Sequence, residues 1–367
     1  MTKRKSIRET LLRPSTSSQS IETGAIFYAG IAGVLSLIAG LFFFQGYVPI
    51  FGRGSIGTVS LLLAAIFAFI GYFYAAYTSM ERPKNASLFE KTRTLLTTLA
   101  LSFVHAAIVF LITTIGFYIV QDAFYGLTID KYASSAIVAA VVAVMSYAVY
   151  LVGAGINTIR ISTALAVYLV SGVLISMITA TDPYWWEMHL SSLGAGNSLS
   201  SFTFEVTLLF GGLVIISVAD FIASDFEKLS SVDTKYKVVK ANGIRIMLSL
   251  IGVFLAFVGI FAYDTNPLIH NISASGMVVL FVILILALPW LVPTFSRAFF
   301  TFSYSLMAAI IFCEVLFNFV GYLNLTGFEI IAFTIVFSWL IVFIRQIAAA
   351  LADEVPVSTR KTRTKKV

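Results

Sequence analysis

Two segments of the chain gather most of the residues able to do chemistry. Residues 181–197 hold Asp182, Glu187, His189 and Ser191, and residues 261–274 hold Asp264 and His270. Imidazoles titrate near neutral pH, so two of them beside carboxylates could bind a divalent metal or act as acid and base. With Ser191 as nucleophile, the set His189, Ser191, His270, Asp182 and Asp264 would suit an enzyme acting on a lipid at the outer leaflet. A plainer reading of the same residues is an interfacial belt, because Tyr184, Trp185 and Trp186 satisfy both apolar ring and polar tip at headgroup level. Ionisable residues inside apolar segments form a second group. Glu205, Asp220, Arg245, Glu329 and Arg345 fall near segment ends, whereas His105 and Glu314 are read as deep. A carboxylate held in lipid must stay protonated or find partners. Glu314 is therefore expected to be neutral and bonded to a neighbouring helix near Asn318, and His105 to bond between helices. On a transport path, both would face a small amphipathic compound.

The elements that must position these residues are apolar stretches of roughly twenty residues, the length an α-helix needs to cross a bilayer. Ten are predicted, at 24–44, 57–78, 94–120, 134–156, 159–180, 203–223, 243–263, 276–296, 298–320 and 327–350. The segments between them alternate in charge. One side carries 22 of the 24 Lys and Arg residues, and the other keeps only Arg53 and Lys131. By the positive-inside rule the rich side is cytoplasmic. The expectation is an all-α polytopic transmembrane helix bundle of about ten spans, with both termini cytoplasmic and residues 181–202 and 261–274 on the outer face.

Composition agrees: 59% of the chain is apolar and 11% charged, with mean hydropathy +0.95. Soluble domains carry about 25% charged residues. The net charge of +6 lies in loops and tails that suit anionic headgroups, so membrane lipids are the expected partners and nucleic acid is not. A lone cysteine, Cys313, excludes an intrachain disulfide and a cysteine-type zinc site. No cofactor is called for, and no metal centre is assigned. The first apolar block exceeds the 7–15 residues of a signal-peptide core and reads as a retained helix. The chain is read as a disordered tail over 1–23, a four-helix bundle over 24–158, a six-helix domain over 159–350 and a basic disordered tail over 351–367. Small residues mark packing faces: Gly30 and Gly33, Ala136, Ala139, Ala140 and Ala143, and Gly211 and Gly212.

The stretch Leu190-Ser191-Ser192-Leu193-Gly194, followed by the outer segment Asp264 to His270-Asn271, resembles bacterial and archaeal membrane proteins of the DUF 998 type. The likeness spans 159–350 and implies a six-helix fold without an assigned reaction. Ser192 stands where that family commonly has an acidic residue, so no acidic role is carried over. In loop layout alone there is also a similarity to eukaryotic membrane proteins of the GPI-remodelling and autophagy-modulator group. The chain has no phosphate loop, His-Glu-x-x-His motif or nucleophile elbow. It also lacks the paired glycine or proline interruptions of broken-helix transporters. The sequence therefore points first to a non-catalytic scaffold or lipid-contact protein, a role compatible with a membrane-protein partner. A transporter and an outer-leaflet enzyme are the alternatives.

Overall fold

The computed structural model describes residues 18–80, 87–232 and 239–363. Residues 1–17 of the expected tail 1–23, the basic stretch 81–86, residues 233–238 of the expected polar loop and the last four residues lie outside it. Among the described residues, ten helices are long and apolar enough to cross a membrane. They are α1 (Ser18–Phe43), α2 (Ile56–Ser79), α3 (Leu88–Ala123), α4 (Lys131–Ala154) and α5 (Thr158–Ile178), then α6 (Leu199–Val232), α7 (Ala241–Ile260), α8 (Pro267–Leu291), α9 (Arg297–Asn318) and α10 (Leu325–Arg363). Even the shortest spans, of 20 and 21 residues, extend roughly 30 Å at 1.5 Å per residue, enough for a hydrocarbon core. Large apolar side chains such as Ile26, Ile66, Val144, Ile283 and Phe312 lie exposed along the helices, which suits a lipid solvent and not water. This is a multi-pass membrane helical architecture.

Helix starts are set by residues that accept from otherwise unpaired N–H groups. Ser55, Asp130, Asn157, Asn266 and Ser296 each accept a hydrogen bond at the head of the helix they precede. Asn324 does the same for the amide of Gly327, at 2.9 Å.

The chain divides into two compact units, residues 1–156 and 157–367. In the N-terminal unit α4 packs on both α1 and α2, and α2 packs on α3. Approach is close because side chains are missing where helices cross. A Cβ on Gly33 would stand 3.2 Å from Ala143 Cβ, and one on Gly40 only 2.9 Å from Ser135 Cβ. Gly30, Ala136 and Ala140, expected on the same face, do not share it: nothing lies within 4 Å of a Cβ at Gly30, and both alanines are exposed. At 100° per residue, neighbours one or three positions away swing out toward lipid. One end of this unit carries a feature no helix prediction contains. Strands β1 (Tyr47–Pro49) and β2 (Thr128–Asp130) pair antiparallel, with Tyr47 opposite Asp130, and join the α1–α2 and α3–α4 connections.

In the C-terminal unit α6 is central, packed on α5 and α7, while α8 packs on α7, and α10 on α5, α6 and α9. A Cβ on Gly212 would meet Gly252 O at 2.3 Å, and one on Gly252 would meet Gly212 O at 2.6 Å, so the α6 and α7 backbones touch. Buried Trp339 on α10 donates its indole N–H to Ser303 Oγ on α9 at 2.9 Å, giving the one polar atom of a large ring a partner.

Several boundaries differ from the sequence reading; α1 starts at Ser18, inside the expected tail 1–23, and α3 at Leu88, each six residues earlier than expected. α6 continues to Val232, so the first half of the expected loop 224–242 is helical. α10 continues through 351–363, which composition assigns to a disordered tail; adding turns to a formed helix is cheap compared with nucleating one. α8 starts at Pro267, nine residues earlier than expected, because Asn266 caps it and proline suits the first helical position.

Candidate functional site

The expected chemical residues lie on one loop face of the C-terminal unit, where the α5–α6, α7–α8 and α9–α10 connections meet. The α5–α6 connection is the longest. Asp182 accepts from the amide of Tyr184 at 2.8 Å and closes a local turn. A 3-10 turn then runs Trp185–Glu187 and a second Leu190–Gly194, with His189 extended between them. Ser192 Oγ lies 2.7 Å from His189 O and 3.1 Å from Trp185 O, which ties the two turns together. Gly196 sits at φ +77°, a conformation glycine adopts without cost.

The other two connections brace this segment with side chains bonded to its backbone. Asp264 Oδ2 accepts from Gly196 N–H at 2.8 Å. Glu329 Oε2 accepts from Leu190 N–H at 2.5 Å, and Asn324 Nδ2 donates to Trp186 O at 3.0 Å. Glu329 and Asn324 were not among the expected site residues. Their partners are 139 and 138 residues away in sequence, and the local signal is only a helix cap with an acid in the following turn.

Beneath the braced loop, His189, Ser191 and His270 are buried. His189 Nδ1 lies 3.0 Å from Ser191 Oγ. The ring of Tyr263 packs between the imidazoles, 4.3 Å from that of His189 and 5.8 Å, edge-on, from that of His270. His270 is not a loop residue: it lies in the first turn of α8, and its Nδ1 is 2.9 Å from Phe261 O. A carbonyl only accepts, so that nitrogen carries the proton and the ring is fixed by its own backbone. Burial, and secondarily the nearness of His270, hold the pKa of His189 below the usual imidazole value.

The structure thus brings His189, Ser191 and His270 together and adds Tyr263. Asp264 joins as a brace, while Asp182 and Glu187 stay exposed and apart from the buried trio. A His–Ser pair can move a proton from hydroxyl to imidazole, but nucleophilic catalysis also needs a group to orient the imidazole. The nearby carboxylates hold backbone amides instead. Among the described residues, no group of three His, Cys, Asp or Glu side chains is placed to hold a metal ion.

No protein-family model, curated protein or solved structure matches this chain.

The intramembrane residues find their partners locally. His105 is buried on α3, with Nδ1 2.8 Å from Leu101 O and its ring stacked on Tyr72 of α2 at 4.0 Å. Its hydrogen bond stays within α3, so the interhelical bond expected of it is replaced by a ring stack against α2. Glu314 differs from expectation. It lies one turn from the end of α9 and is half-exposed, and Asn318 of the same helix donates to its carboxyl group. The bond follows from i, i+4 spacing, which stacks two side chains on one helical face, so no neighbouring helix is needed.

Proposed function

We propose that this chain is a multi-pass protein of the cell membrane, with both termini cytoplasmic, that works without catalysis as a scaffold or lipid-contact protein. The observation that carries this reading is the closure of the loop layer in the C-terminal unit. Asp264, Glu329, Asn324 and His270 each bond a backbone group, so most of the polar side chains that could act on a substrate hold the loops shut. The charge alternation of the loops supports the orientation. As part of the same proposal, residues 159–350 form a DUF 998-like domain, with Leu190–Gly194 as the turn that carries the shared motif. Transport is less well supported, since Glu314 sits at a helix end and is bonded within its own helix.

One observation favours a second reading, an outer-leaflet lipid-modifying enzyme: the contact between buried His189 and Ser191. The two readings separate by lipid analysis of cells expressing the full chain or its Ser191→Ala variant. A scaffold leaves both lipid profiles alike. A modified or cleaved lipid made by the parent chain and absent with Ser191→Ala would replace the scaffold reading with the enzyme. Orientation is tested with Cys313→Ser and Trp186→Cys together. An impermeant maleimide should label Trp186→Cys on intact cells, and labelling only after lysis would reverse the topology.

A further inference from the structure

The loop face of the N-terminal unit offers a different surface. An open depression of about 510 Å³ is lined by Gln45, Gly46, Tyr47, Asp130, Lys131 and Tyr132. Volumes of roughly 300–1,000 Å³ are usual for small-molecule sites. Its frame is the β1–β2 pair, in which Tyr47 stands opposite Asp130, and Lys131 opens α4 directly after the strand. Because the two connections are joined backbone to backbone, the side chains of Tyr47 and, just after β2, Tyr132 are left over, while Val48 is buried. Tyr47 is 76% exposed and Tyr132 67%. Lys131 Nζ lies 5.0 Å from the centre of the Tyr132 ring, and among the described residues no carboxylate pairs with it.

We propose that this depression binds the headgroup of a zwitterionic phospholipid of the phosphoethanolamine type. Such a headgroup carries a phosphate and an ammonium a few bonds apart. The depression carries the complement, an ammonium on Lys131 beside a carboxylate on Asp130, with the Tyr47 ring as a face on which a cation can rest. An anionic headgroup would satisfy Lys131 and place a second negative charge against Asp130.

Two features argue that the charges are there for a ligand. Lys131 is one of only two basic residues on its side of the chain, where a cation works against the topological signal. Asp130 caps α4 through Oδ1, which accepts from Tyr132 and Ala133 amides at 2.9 and 3.2 Å; a neutral asparagine caps as well. A belt of interfacial tyrosines would need neither charge. The proposal deepens the lipid-contact reading and rests on it.

The test uses the full chain purified in detergent, with retained lipid read by native mass spectrometry after incubation with phosphatidylethanolamine or phosphatidylglycerol. The parent chain should retain phosphatidylethanolamine about tenfold better, a difference of about 1.4 kcal/mol. Asp130→Asn keeps the cap and removes the charge, so the preference should shift toward phosphatidylglycerol. Lys131→Gln should lower retention of both, and Tyr47→Ala that of phosphatidylethanolamine alone. Free phosphoethanolamine should compete and inorganic phosphate should not; equal competition would mean a plain anion site and overturn the proposal. Equal retention of both lipids, unmoved by either charge variant, would also overturn it while leaving lipid contact intact. Retention of no lipid at all would instead remove the lipid-contact reading and the proposal with it.

Discussion

The two units close their loop faces by opposite means. In the N-terminal unit the connections are joined by a two-stranded ladder, main chain to main chain, so Tyr47, Lys131 and Tyr132 remain at the surface. In the C-terminal unit the connections are joined by side chains bonded to backbone: Asp264 to Gly196, Glu329 to Leu190 and Asn324 to Trp186. The bracing carboxylates Asp264 and Glu329 are bonded to other connections, whereas Asp130 caps its own helix through Oδ1 alone. Asp264, Glu329 and His270 in the conspicuous cluster are thus bonded to backbone, while Tyr47 and Tyr132 beside the inconspicuous strand pair stay exposed.

The largest expected effect concerns what both units share, helix packing through missing side chains. At Gly212 a Cβ would press on the Gly252 carbonyl at 2.3 Å and the Ala256 nitrogen at 2.7 Å, both backbone atoms that cannot turn aside. Gly212→Val should cost at least the upper part of the usual overpacking range of about 1–3 kcal/mol and abolish a monodisperse peak in gel filtration. Gly30→Val, with open space around it, should change the melting temperature little, since changes away from packed features stay within about 0.5 kcal/mol. If both behaved alike, close approach would not be what joins α6 to α7.

The contrast between those glycines shows where sequence reading succeeds and stops. Ten long apolar runs dictate ten helices, because backbone in hydrocarbon must satisfy its own hydrogen bonds. Which small residues touch depends on rotation about each helix axis, and Gly30 and Gly33 look alike until α4 is placed. The start of α8 was written in Asn266-Pro267, a cap followed by the residue best suited to a first turn, but the polar run around it reads as loop. His189 and Ser191 are two residues apart, so their contact was within reach of inspection. Glu329 and Leu190 are not neighbours until α10 returns to the α5–α6 connection, and no local pattern encodes that return.

A smaller effect sharpens the comparison directly. Glu329→Leu leaves the part-buried Leu190 amide without this acceptor, and since a fully buried unsatisfied donor costs about 1–3 kcal/mol, a loss toward the lower end is expected. Glu329→Gln keeps an acceptor oxygen and should cost less. Hydrogen exchange should quicken in residues 185–194 for Glu329→Leu and stay close to the parent rate for Glu329→Gln. Were both variants as protected as the parent, the loop layer would be held by packing and not by its braces.

The smallest effect is a pH dependence confined to one loop face. His189 is buried beside Ser191, Tyr263 and His270, and its folded-state pKa lies below the ordinary imidazole value. In the unfolded chain it would take a proton near pH 6.5. Below that value the unfolded state binds more protons, so the contribution of His189 is fully present above about pH 6.5 and declines as pH falls toward the folded-state value. Amides of residues 185–196 should therefore exchange faster at pH 5.5 than at pH 7.5, after correction for intrinsic rates. Replacing the imidazole in His189→Gln should flatten that difference. Residues 44–55 contain no histidine, and β1 is held by main-chain bonds, so their protection should not change over the same range. A parallel loss there would mean that acid loosens the protein generally, and the contrast between a ladder-closed and a side-chain-closed face would lose its chemical basis.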